Sequence, residues 1–107
     1  MKSKIALAFD ECRKAKRPAL ITYTVAGDNT KNNSIKILKK ISKHADILEL
    51  GFPHNTPIAD GGQIQGSSHR ALKNGIKLKD VFQIVKEFKK TNPNKPIILM
   101  GYFNLIY

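Results

Sequence analysis

The chain has 107 residues, 41% of them hydrophobic, which sets one globular unit as the expectation. No run approaches the ~18 apolar residues of a membrane span, and the apolar start of MKSKIALAFDECRKAK breaks at Asp10 and Glu11, too early for a signal peptide. The single cysteine, Cys12, excludes an internal disulfide and suits a reducing cytoplasm, while the net charge of +11 raises the question of a nucleic-acid partner.

From Ser3 to about Arg17, Ile5, Phe9 and Cys12 recur at helical spacing, and Pro18 ends the helix. Cys12 reads as a buried helix-face residue. PALITYTVAG follows as a short buried strand, then the turn residues Gly27, Asp28 and Asn29, with Thr30 as a helix cap. A helix from about Lys31 to His44 carries Ile35, Leu38 and Ile41 on one face. ADILELG is a second strand, ending in Gly51. A loop bounded by Pro53 and Pro57 leads to two helical stretches, about Gly62–Lys73 and Lys79–Thr91, parted by Asn74-Gly75. In the second stretch Leu78, Val81, Phe82, Val85 and Phe88 mark the apolar face. Pro93 and Pro96 bracket a turn, and PIILMG is a third strand before YFNLIY.

The lysines answer the question of charge. Lys36, Lys39, Lys40 and Lys43, and Lys79, Lys86, Lys89 and Lys90, lie mainly on the polar sides of amphipathic helices. They form no single patch and have no stacking aromatics or nucleic-acid motif among them, so the reading is solvated surface. Neither nucleic acid nor membrane is an expected partner.

Apolar strands alternating with helices predict an α/β fold with parallel pairing. No linker divides the chain, so residues 1–107 read as a single partial domain: three strands, the last without a covering helix, form the opening portion of a larger α/β domain.

Two acids attract attention in LELGFPHNTPIADGGQIQ. Glu49 falls at the carboxyl end of a strand, the end that faces the ligand crevice in such folds. Among Ile47, Leu48 and Leu50, its carboxyl is either a general acid/base with a raised pKa or one half of an ion pair. Both readings stand on the residues alone. Asp60, ahead of Gly61 and Gly62, is a turn former or helix N-cap when taken singly. Paired with Glu49 on one rim, it gives a site able to move two protons in opposite senses. His44, His54 and His69 match no metal-ligand spacing; His44 and His69 read as helix-surface residues and His54 as a loop-packing residue. No metal site is expected, and Gly61, Gly62 and Gly66 match neither dinucleotide nor P-loop patterns.

The stretch LELGFPHNTPIADGGQIQ resembles the signature of the tryptophan synthase alpha chain, with both acids at the family's spacing. PALITYTVAGD resembles that family's first strand and ILMGYFN its third. The resemblance implies the N-terminal portion of a (β/α)8 TIM barrel, preceded by an N-terminal helix. It also implies a lyase of tryptophan biosynthesis, working without a cofactor on indole-3-glycerol phosphate to give indole and glyceraldehyde 3-phosphate. In that reading Glu49 protonates indole C3 and manages the glycerol hydroxyl proton, while Asp60 stabilises positive charge at the indole nitrogen. Tyr23, Met100 and Tyr102 fall where the family lines its indole pocket; on the residues alone they equally suit barrel packing. The implied partner is a tryptophan synthase beta chain, in an alpha-beta-beta-alpha tetramer, reached through the loop Pro53, His54, Asn55, Thr56 and Pro57.

This sequence departs from the family pattern in that loop. His54, Asn55 and Thr56 stand where the family has Phe-Ser-Asp, so coupling to the beta chain is expected to be weaker. Gly62 replaces the usual proline and loosens the start of the following helix. A (β/α)8 barrel needs about 250 residues, with its phosphate site after strands 7 and 8. The 107 residues are therefore expected to be an inactive portion on their own. Two rival readings are another TIM-barrel lyase of a phosphorylated substrate and a non-catalytic, degenerate alpha chain that binds a beta-like partner.

Overall fold

Three apolar runs form a parallel sheet of order β1-β2-β3: β1 (Ile21–Val25), β2 (Ile47–Gly51) and β3 (Ile97–Met100). The structure, a computed structural model, describes residues 2–54 and 61–101. Four helices complete the described elements: α1 (Lys4–Lys14), α2 (Lys31–Ser42), α3 (Gly62–Lys73) and α4 (Leu78–Thr91). The order is the one expected from the sequence, and α2 and α4 are packed neighbours beside the sheet.

The helix ends follow local chemistry. Ser3 Oγ accepts from the Ala6 amide at 3.1 Å and Thr30 Oγ1 from the Asn33 amide at 3.0 Å, satisfying donors that the first turn leaves free. Asp80 accepts from the Lys77 amide at 2.8 Å and places negative charge at the start of α4. Helix α1 stops at Lys14, short of the expected Arg17, because Lys16 turns left-handed at φ 56° and the Arg17 amide donates back to the Cys12 carbonyl. Gly75, at φ 80°, separates α3 from α4 as the Asn-Gly pair predicts.

One face of the sheet makes the core. Leu48 and Leu50 of β2 are fully buried with Leu38 of α2 and Val81, Ile84 and Phe88 of α4. Burial of each such side chain contributes about 1.5–3 kcal/mol. Ile97 and Leu99 of β3 pack on the same cluster. The face of α4 differs from the expected one: Ile84 is buried, whereas Leu78 and Phe82 are 42% and 52% exposed. A helix with apolar residues on more than a third of its circumference can turn either edge inward. The i, i+3, i+7 set Val81, Ile84 and Phe88 meets the sheet, and Phe82 lies edge-on to Phe52 at 6.0 Å instead.

Cys12 is buried, as expected, but Ile5 and Phe9 remain open at 38% and 40% exposure. Periodicity marks a face that can pack; burial needs a partner surface. Among the described residues, α1 meets one near Cys12, where burial, with Asp46 alongside, pushes the thiol above its ordinary value. Asp46 is the junction there. It accepts two 2.8 Å bonds from the Arg17 guanidinium and one of 2.7 Å from the Leu20 amide.

Candidate active site

Parallel register decides which side chains share a face. Tyr23 of β1 pairs with Glu49 of β2, and Glu49 with Ile98 of β3. One step toward the carboxyl ends, Val25 pairs with Gly51 and Gly51 with Met100. Leu48 and Leu50 fill the helix-covered side, so alternation turns Glu49 to the opposite face with Tyr23 and Met100. The structure thus gathers three of the expected site residues on the uncovered face, toward the carboxyl edge. On that face Ile21 and Met100 are 43% and 44% exposed, whereas Ile47 and Val25 are buried.

Glu49 is half-buried, and among the described residues no cation forms an ion pair with it. The partner that an ion-pair role would require is not supplied by these lysines and arginines. Asp60, Tyr102, Asn55, Thr56 and Pro57 lie outside the described residues. The N-cap position of α3 falls on Gly61, with no side-chain cap bond. Pro53 and His54 follow β2 and are buried, His54 at 7% exposure. His44 and His69 are exposed. Among the described residues, no group of three or more His, Cys, Asp or Glu side chains could hold a metal ion.

Several contributors carry no motif of their own. Gly51 is one: a Cβ built there would stand 1.9 Å from Tyr23 Oη and 2.6 Å from its Cζ. The phenol therefore lies across the glycine, one step beyond Glu49. Gly51→Ala is expected to cost about 1–3 kcal/mol, from overpacking, read as the urea denaturation midpoint. The same change should cost much less in a Tyr23→Ala background. Equal losses in both backgrounds would show that Tyr23 does not occupy that space.

A second contributor is α3, which reaches over the carboxyl end of β1. Between them lies a cavity of about 250 Å³ lined by Tyr23, Thr24, Val25, Asp28, Gln63, Ile64 and others. Asp28, which the sequence marked only as a turn residue, binds Arg70 of α3 through two bonds of 2.7 and 2.9 Å. The guanidinium holds the Asp28 carboxyl below its ordinary value. A 42-residue separation hides such a pair from any local pattern.

The comparisons with known proteins agree with this geometry. The family model described as "Tryptophan synthase alpha chain" matches residues 9–107. A tryptophan synthase alpha chain of Pelagibacter ubique (strain HTCC1062) is 70% identical over 105 residues, covering 98% of this chain and 40% of that protein. A crystal structure of tryptophan synthase subunit alpha from Legionella pneumophila str. Paris superimposes with a TM-score of 0.94 at 34% identity, covering 99% of this chain and 41% of the other. A chain from the tryptophan synthase a2b2 complex of Pyrococcus furiosus gives 0.79 at 48% identity, covering 83% of this chain and 38% of the other. The chain thus spans about two fifths of the length of the curated relatives it matches.

Proposed function

Because the chain belongs to the tryptophan synthase alpha chain family, we propose that it supplies the first three strands of a (β/α)8 barrel that cleaves indole-3-glycerol phosphate. The observation that carries this reading is the position of Glu49. It is a half-buried carboxyl without an ion-pair partner among the described residues, on the uncovered face with Tyr23 and Met100. Residues 1–107 form a single partial domain in this reading, and the protein works in the cytoplasm. Among the described residues, no helix is long and apolar enough to cross a membrane.

The chemistry asks for two groups. Indole leaves poorly as a carbanion, so C3 must take a proton before its bond to the glycerol carbon breaks. Glu49 gives that proton. The electron pair of the breaking bond returns to the indole ring, and the hydroxyl on the departing carbon becomes the aldehyde by releasing a proton to Glu49. Proton gain and loss at the carboxyl balance over the step. Asp60 places negative charge by the ring nitrogen, where positive charge develops once C3 is protonated. Tyr23, Met100 and Tyr102 flank the flat ring with apolar and aromatic surface. No cofactor or metal is required by this sequence of steps. The beta chain is the proposed protein partner, through the loop from Pro53 to Pro57.

A chimera tests the reading directly. Residues 1–107 replace the matching segment of the Pelagibacter ubique alpha chain, and indole release from indole-3-glycerol phosphate is followed spectroscopically. Turnover within about tenfold of the unaltered Pelagibacter chain is expected, given 70% identity over 105 residues. A folded chimera that releases no indole would overturn the proposal.

A further inference from the structure

Helix α3 is held to the rest of the molecule with few means of its own. It begins at Gly62, its N-cap Gly61 contributes no side-chain bond, and only Ser68 and Ala71 on it are buried. Two glycines at its start leave the backbone little stiffness, and its larger apolar side chains, Ile64 and Leu72, are only half-buried. The directional contact of the helix is made by Arg70. Its Nε and Nη2 donate to the two carboxylate oxygens of Asp28 at 2.7 and 2.9 Å, and Nη2 also reaches Ser67 Oγ at 3.2 Å. A planar fork on a carboxylate sets direction as well as distance, which a single contact does not.

The other half of the pair is itself held. Asp28 follows Gly27, whose φ of 77° and 3.0 Å bond to Ser34 Oγ lock the turn after β1. A Cβ at Gly27 would stand 2.5 Å from Ile76 Cδ1, so that turn is also closed against the connector between α3 and α4. Strand β1 carries Tyr23, and Asp60 precedes the first residue of α3 by two positions. The ion pair therefore joins the element that bears Tyr23 to the helix that follows Asp60.

We propose that Asp28 and Arg70 are positioning residues for the lyase step: their forked bond sets α3 on the carboxyl end of β1, against the cavity that Tyr23, Gln63 and Ile64 line. The inference rests on the lyase reading above. The pair touches no reacting atom, and its effect passes through the seat of α3.

The test uses the chimera and the variants Arg70→Gln, Asp28→Asn, their double and Arg70→Lys. Each single change is expected to lower kcat by roughly tenfold to hundredfold, as small misplacements of reacting groups do. The double should be no worse than the poorer single, because both remove one interaction. Arg70→Lys should recover only part, since an ammonium cannot fork. The melting midpoint should stay within a few degrees of the parent, as expected for a pair open to solvent on the Arg70 side. Losses that multiply in the double, or kcat within twofold of the parent in Arg70→Gln, would overturn the role. Amide exchange at Gln65, which donates to the Gly61 carbonyl at 2.9 Å, separates this inference from the lyase reading. Severalfold faster exchange in Arg70→Gln and Asp28→Asn supports the clamp even in a chimera that releases no indole, an outcome that would overturn the lyase reading alone. Unchanged exchange overturns the clamp whatever the activity.

Discussion

Glu49→Gln lowers indole release by the chimera about a hundredfold or more, the size of a lost general acid/base, and leaves the unfolding midpoint where it was. The amide keeps the shape of the carboxyl and cannot give or take the proton at C3. Stability is spared because, among the described residues, Glu49 has no ion-pair partner for the change to strand. The alternative role predicts the reverse pattern: an ion-pair glutamate would lose stability on becoming neutral and leave the chemical step in place. Measuring kcat and the melting midpoint on the same preparations therefore separates the two readings. A variant that keeps its turnover would remove Glu49 from the reaction.

Asp46→Ala has the largest expected effect on stability. This carboxylate joins the end of α1 to the amino ends of β1 and β2, taking both arms of Arg17 and the Leu20 amide. Alanine leaves the Leu20 donor and the guanidinium without it, and the midpoint should fall by roughly 5 °C in the chimera. Asp46→Asn should fall less, since its amide oxygen still accepts from Leu20. The pH dependence has a definite sign. Arg17 first, and then the Leu20 amide, hold the Asp46 carboxyl well below the usual carboxylate range in the folded protein. The unfolded chain then binds the proton more readily, so the contribution is complete above the unfolded value near pH 4 and is lost as the pH falls below it. The stability gap between parent and Asp46→Asn should narrow on acidification from pH 5 to pH 2. A constant or widening gap would mean that Asp46 is not the group whose charge holds this junction.

Nearest-neighbour chemistry accounts for what the sequence alone made visible. Ser3 and Thr30 cap helices because a hydroxyl in that position reaches an amide three residues on. Asn74-Gly75 breaks a helical pattern because glycine takes a positive φ without strain. Buried strands show as unbroken apolar runs because both their faces are built to be covered. Glu49 stood out for the same reason, as a carboxyl within such a run. The 18-residue stretch around it identified the family, and the comparisons bear that out.

Periodicity could not choose between the edges of a broad apolar stripe. Ile84 rather than Phe82 enters the core because the sheet presents Leu48 and Leu50 to one edge of α4. Nor could it show that α1 buries Cys12 while leaving Ile5 and Phe9 open, since covering a face depends on another element arriving there. Gly51 reads in sequence as the end of a strand; only the register with β1 lays the Tyr23 phenol across it. Asp28 and Arg70 look like a turn residue and a helix-surface cation until the chain brings residues 42 apart within 2.7 Å. Caps, turns and strand runs are decided by contacts a few residues apart, whose partners the sequence names. The seat of α3, the roll of α4 and the Tyr23–Gly51 contact are decided by surfaces distant in sequence, whose meeting depends on how the whole sheet and its helices pack.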